Sequence, residues 1–286
     1  MSVRVSLKAL VSSIVLFNGF TVAQAAEPTP IEVIADNSFL IEEAYNQEPG
    51  VVQHIFNAVY SNDSRRRGWA FAFTQEWPIF SQDHQFSYSI PSYHLVEGAD
   101  RIHGVGDILL HYRYQALEEG NVKPAFAPSF SLILPTGSRK RGTGEQVVGY
   151  QWNLPFSKKI GPRFAAHANF GLTYLPHVRA LLDPSTGQLS PRRSLVSYNV
   201  GGSAIVAVLP RLHLMLEWVG NFEESINDAG RPQRDFKPIM SPGLRAAVVN
   251  EEKVQIVIGA AIPVGLNRKA DNHGAFLYLS VEHDLF

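Results

Sequence analysis

Ionisable side chains recur at alternate positions of otherwise apolar stretches. His111 and Arg113 flank Tyr112, His167 and Asn169 flank Ala168, and His213 shares a phase with Glu217. With Glu76, Asp107, Asn221 and Arg245 they form a candidate set for contacting a small-molecule solute. Two kinds of chemistry suit such a set. His111, Arg113, His213, Glu217 and Arg245 could make a constriction that screens solutes by charge, as rings of charged side chains do in pores. The plainer role is a mutually paired, solvated lining. Metal chemistry has no support, because the chain has no cysteine and its ten histidines include no HExxH and no close ligand pair. No cofactor is expected. Ser203, in Gly201-Gly202-Ser203-Ala204, lacks the glycine two residues on that a nucleophile elbow requires, so the chain is not expected to be an enzyme.

The elements that carry these residues are strands. From Phe164 to Tyr174 the apolar positions Phe164, Ala166, Ala168, Phe170, Leu172 and Tyr174 lie on one face, with His167, Asn169 and Thr173 opposite. Leu212 to Phe222 repeats this, with Leu212, Leu214, Leu216, Trp218 and Phe222 against His213, Met215, Glu217 and Asn221. Twelve such segments fall near 51–60, 68–79, 84–95, 104–117, 122–135, 145–159, 163–177, 193–209, 211–222, 236–249, 252–265 and 274–285. Most run to about twice the usual five or six residues of a globular strand. Connections after even-numbered strands are tight, such as 80–83, 160–162 and 250–251. Those after odd-numbered strands are longer, such as 61–67, 135–144, 177–192, 221–235 and 266–273. An even number of strands, short turns at one end and long loops at the other is the plan of a transmembrane outer-membrane β-barrel. The predicted fold is all-β, about twelve antiparallel strands over 51–286, with short periplasmic turns and longer extracellular loops.

The chain has 286 residues, with 45% hydrophobic, 11% aromatic and 18% charged, and a net charge of −1. That many aromatics and so little net charge exclude disorder, and the missing basic field excludes a nucleic-acid partner. The mean hydropathy of −0.05 resembles that of a soluble protein. It also suits a barrel, in which only alternate residues meet lipid. Arg4 and Lys8, an apolar run from Ala9 to Val22 and the Ala23-Gln24-Ala25 site predict a signal peptide over 1–25, cleaved before Ala26. Residues 26–50 carry Glu27, Glu32, Asp36, Glu42, Glu43 and Glu48 with no Lys or Arg. This acidic segment is a candidate plug, through Glu42, Glu43, Tyr45 and Glu48, or else a periplasmic leader.

Several runs resemble a family of outer-membrane barrels associated with the meta-pathway of phenol degradation. They are Phe39-Leu-Ile-Glu-Glu-Ala-Tyr-Asn-Gln-Glu-Pro-Gly-Val-Val-Gln-His54, Thr74-Gln-Glu-Trp77, Gly104-Val-Gly-Asp-Ile-Leu-Leu-His-Tyr-Arg-Tyr114 and Leu134-Pro-Thr-Gly137. The resemblance spans most of the mature chain. It implies a bacterial outer-membrane transporter or channel passing small, often aromatic or apolar, compounds. One departure concerns the terminal aromatic of such barrels. Phe286 is out of phase with the apolar set Leu277, Leu279, Val281 and Leu285, which requires a bulge or a residue beyond the last pair.

Expected partners are the barrel-assembly machinery, the small solute, and outer-membrane lipids with lipopolysaccharide. Arg65-Arg66-Arg67, Arg139-Lys140-Arg141, Arg192-Arg193 and Arg268-Lys269 either supply positive charge for lipid phosphates or are simply solvated. Absence of a long constriction loop of the trimeric-porin kind favours a monomer. Two other functions fit a barrel of this size, a lipid-modifying enzyme and a non-conducting structural or adhesive barrel.

Overall fold

The computed structural model describes residues 31–285 apart from 35, 63–65, 99, 184 and 271–272. The predicted signal peptide and Phe286 lie outside the described residues. Twelve strands follow one another: β1 (Val51–Asn62), β2 (Arg66–Ile79), β3 (Ser81–Glu97) and β4, made of Asp100–Val105 and Ile108–Tyr114. Then come β5, made of Ala125–Phe126 and Ser129–Leu134, β6 (Gly149–Ile160), β7 (Phe164–Val178), β8 (Arg193–Leu209) and β9 (Leu212–Ile226). β10 (Pro232–Glu251), β11 (Val254–Ala261 and Val264–Gly265) and β12 (His273–Asp284) complete the set. Each pairs antiparallel with its sequence neighbours, and β12 returns to β1, so the sheet is a closed twelve-stranded barrel. Closure leaves no edge strand, which matters where lipid offers no hydrogen bonds.

Alternation decides which residues face in. On β9, Leu214 and Leu216 are 46% and 49% exposed on the outer face, while His213 and Glu217 are fully buried. On β7 the buried residues include Ala165, His167 and Asn169, and Phe164 and Phe170 point out. The outer face is tied by cross-strand aromatic pairs, such as Phe126 on Phe156 with centroids 4.5 Å apart and Tyr198 on Phe222 at 4.6 Å.

The breaks in three strands have local causes. β5 breaks at Ala127-Pro128 and β11 at Ile262-Pro263, where proline has no N–H for the ladder. β4 breaks at Gly106-Asp107, where Gly106 lies so close to Tyr93 that a Cβ would sit 2.7 Å from its ring. Two expected loops are shorter than the sequence suggests. Pairing continues to Asn62↔Arg67 and to Ile226↔Pro232. Above the apolar belt, ion pairs take over between β9 and β10, with Lys237 Nζ 2.6 Å from Glu223 and Arg234 3.4 Å from Glu224. The connections of 135–148 and 179–192 are long. The second carries a small hairpin of Leu181–Asp183 with Gln188–Leu189. At its turn, the hydroxyls of Ser185 and Thr186 and the Ser185 N–H hold the Asp183 carboxyl down to about 2.

At the other end of the barrel the β1–β12 pairing is unbroken from Asn62↔His273 to Val51↔Asp284. No bulge shifts the phase within β12, so Leu277 and Leu279 face out and Tyr278 and Ser280 face in.

Candidate functional site

Residues 31–50 rise from the short-turn end to the middle of the barrel and descend again. Val33 starts at the β6–β7 turn, where its N–H donates to Pro162 O at 2.9 Å. The apex, Phe39 to Ile41, is held by one carboxylate. The backbone N–H groups of Phe39, Leu40 and Ile41 all donate to Glu217 Oε1, at 3.1, 2.9 and 3.3 Å. Three consecutive amides on one anion make a strong charge-assisted anchor. The descending limb is caught by Asn169, which accepts from Glu42 N–H at 2.8 Å, and by Ser157, which accepts from Ala44 N–H at 2.7 Å. Gln85 accepts from Gln47 N–H at 2.8 Å near the exit.

Arg245 is the counterpart of Glu217. It is fully buried, and its guanidinium donates to three carbonyls of the ascending limb: Asp36 and Asn37 from Nη1, Ile34 from Nη2. Its Nε donates to His213 Nδ1 at 3.3 Å, and Glu43 Oε1 lies 3.6 Å from Nη1. A segment without regular structure leaves its own amides and carbonyls unmatched, and the wall supplies the missing partners. Asp36 joins from the segment side, accepting from Tyr278 OH at 2.7 Å and from Gln53 Nε2 at 2.8 Å.

Steric room was made as well. Phe39 stacks on Phe276 with centroids 5.0 Å apart, over Gly243 and Gly259. A Cβ on Gly259 would collide with the Phe39 ring, and one on Gly201 would sit 2.6 Å from Ile41 Cδ1. Gly259→Leu should therefore expel Phe39. The expected result is new protease cleavage within 31–48 in a barrel that keeps its heat-modifiable gel shift; an uncleaved segment would show that the ring packs elsewhere.

The candidate site residues divide by place. His213, Glu217 and Arg245 bind the segment, so the charged ring expected from the sequence is occupied by backbone. His167 does likewise, with Nδ1 2.8 Å from Ser157 Oγ and Nε2 3.5 Å from Glu43 Oε1. That Ser–His–Glu line has the order of a hydrolytic triad, but Ser157 Oγ takes the Ala44 N–H and both wall residues are buried. Asp107 does not join them. Its two oxygens accept from Gly137 and Glu145 N–H, at 2.8 and 3.0 Å, and pin the 135–148 connection to β4. Tyr45 donates to Glu119 at 2.8 Å at the short-turn end, where Glu119 also holds Lys158 at 2.7 Å. Burial lifts the Glu119 carboxyl, but the hydrogen bonds from Lys158, Lys159 N–H and Tyr45 outweigh it and leave its pKa below the usual range.

Glu76, His111, Arg113 and Glu42 border open space, and Arg113 also donates from Nη1 to Tyr45 O of the segment at 3.1 Å. Gln53 on β1, Gln85 on β3 and Arg113 on β4 hold other parts of the segment, but beside its apex, between it and β1 to β5, a cavity of about 210 Å³ remains that these four residues line with Phe39, Asn57 and others. Below it, a second cavity of about 310 Å³ is rimmed by Glu48, Glu118, Glu119 and Glu282. Above, about 320 Å³ lies between the 135–148 connection and the upper ends of β7 to β9. Sequence reasoning missed Gln53, Gln85 and Ser157 because uncharged polar residues are ordinary on an inward face. The one available signal was glycine at inward positions, as at Gly201, Gly243 and Gly259.

A closed antiparallel barrel of twelve strands with an apolar belt outside and a polar interior is an outer-membrane β-barrel. The chain is similar in structure to an outer-membrane channel from Pseudomonas putida F1, with a TM-score of 0.64 and 14% identity over 84% of this chain and 97% of that one. It also aligns with the NanC porin, at a TM-score of 0.47 and 11% identity over 81% of this chain and 100% of that one. The KdgM porin aligns at 0.48 and 9% identity over 82% and 99%. No protein-family pattern and no curated sequence matches the chain.

Proposed function

We propose that the protein is a bacterial outer-membrane channel for passive uptake of small solutes, with a preference for aromatic or apolar compounds. The observation that carries this reading is the polar barrel interior, which keeps three cavities at successive heights although a segment is inserted in it. The fold shared with an outer-membrane channel supports the location, and the resemblance to barrels of the phenol meta-pathway supports the aromatic preference. The inserted segment acts as the plug that narrows the passage to the side facing β1 to β5. The signal peptide over 1–25 would deliver the chain to the assembly machinery. The exposed Arg192, Arg193 and Arg268 at the loop end would meet lipopolysaccharide phosphates.

Purified protein in planar bilayers tests the proposal. Small, steady single-channel currents are expected, and a silent barrel would overturn it. Arg113, buried and bordering the middle cavity beside Glu42 and Glu76, should set ion preference. Arg113→Ala should shift the reversal potential in a KCl gradient toward cation selectivity; an unchanged potential would remove Arg113 from the conducting path.

A further inference from the structure

We infer that the cavity facing β1 to β5 is a binding site for one neutral, hydroxyl-bearing and otherwise apolar molecule. The inference rests on the channel reading, since it names the solute class that the passage would hold. Three features of the wall lead to it.

The first is an apolar side. Phe39 and Tyr278, with ring centroids 5.3 Å apart, and Ile55 and Leu40 face the cavity. A flat apolar molecule gains by covering them.

The second is a hydroxyl side whose bonding is already closed. Thr74 Oγ1 lies 2.7 Å from Ser89 Oγ, Ser89 lies 3.0 Å from His111 Nε2, and His111 Nδ1 lies 2.6 Å from Ser131 Oγ. These groups use one another and make little demand on a ligand.

The third is a pair of acceptors left over. Asn57 Oδ1 and Glu42 Oε2 both belong to residues lining this cavity, both atoms are buried, and neither accepts a hydrogen bond. Arg113 Nη2 makes an ion pair with Glu42 Oε2 at 3.9 Å, beyond hydrogen-bond reach, which leaves Asn57 Oδ1 the acceptor with neither partner among the described residues. Buried acceptors without a donor are rare in folded proteins and unfavourable to leave so. A ligand O–H can donate to one of them, and a methyl group to neither. An anion is disfavoured because Glu42 and Glu76 outnumber Arg113 around the space. A volume of about 210 Å³ is below the range of drug-sized pockets, which suits a molecule of about one ring.

Calorimetric titration of the full chain in detergent, with benzyl alcohol, toluene and benzoate, tests this with one ring and three substituents. Benzyl alcohol should bind about 5-fold tighter than toluene, the worth of one buried hydrogen bond, and benzoate most weakly. Asn57→Ala should remove most of the preference for the alcohol and leave toluene unchanged, which also shows that the cavity is intact. Subtracting variant from wild type cancels partition into micelles. Glu42→Gln should raise benzoate affinity by removing a repelling charge. Equal binding of all three probes, an unaltered preference in Asn57→Ala, or no saturable binding at all, meaning solvent only, would each overturn the inference. Currents from the same preparations separate it from the channel reading. A silent barrel that still prefers the alcohol fails only as a channel, and a conducting barrel without the preference fails only as this site.

Discussion

Deletion of residues 31–48 should raise the single-channel conductance about 5-fold or more, and remove the brief closures expected of a plugged pore. Twelve strands lie between eight, where side chains fill a barrel, and sixteen, where a channel stays open, so what occupies the lumen decides the conductance. Here the occupant is the segment itself. It crosses the lumen from Glu217 on β9 to Arg113 on β4 and leaves side spaces of only about 210 and 310 Å³. The deleted barrel should still assemble, because its closing β1–β12 pairing begins at Val51, beyond the deletion. Conductance in planar bilayers, with gel heat-modifiability as the folding control, decides the point. An unchanged conductance would mean that ions do not pass the segment at all.

Arg245→Ala should undock the segment without dismantling the barrel. The substitution strips partners from three carbonyls and leaves Glu43 Oε1 without its nearest guanidinium. Removing one partner of a buried charged network is destabilising by about 3–5 kcal/mol. For docking of the segment that is on the order of a 100-fold to several-thousand-fold shift toward the undocked state. Conductance should therefore approach that of the deletion, with flicker from a tethered segment that returns. Glu217→Ala should act the same way through the three amides of Phe39, Leu40 and Ile41. In the deletion background neither substitution should add anything, because water then solvates both positions. An additive effect there would place Arg245 or Glu217 in the conducting path itself.

The barrel was legible because its rule is local. Each strand must show lipid an apolar residue at every second position, and His213 against Leu214 or His167 against Ala168 displays that rule within a few residues. Turn residues at Gly161-Pro162 then set the hairpin there, whereas the tight turn expected at 250–251 falls at Glu252-Lys253. The lengths of the loops were less legible, since β9 and β10 continue beyond the lipid belt on ion pairs that join Glu223 to Lys237 and Glu224 to Arg234. Those pairs cross a hairpin between residues 14 and 10 positions apart, and alternation no longer marks them once both faces are wet. Inward position was readable for His111, Arg113, His213, Glu217 and Arg245, but not occupation. Nothing local distinguishes a charge that meets solvent from one that meets Ile34 or Phe39.

By itself the sequence determined the strands, their count, their two faces and the acidic character of the segment before β1, because periodicity and composition are properties of neighbours along the chain. The tertiary structure alone decided that Glu217 and Arg245 hold that segment while Glu76 and Asn57 border open space and Arg113 does both. The deciding contacts join residues up to 211 positions apart. They exist only after the sheet has closed and brought β9, β10 and the segment around one interior.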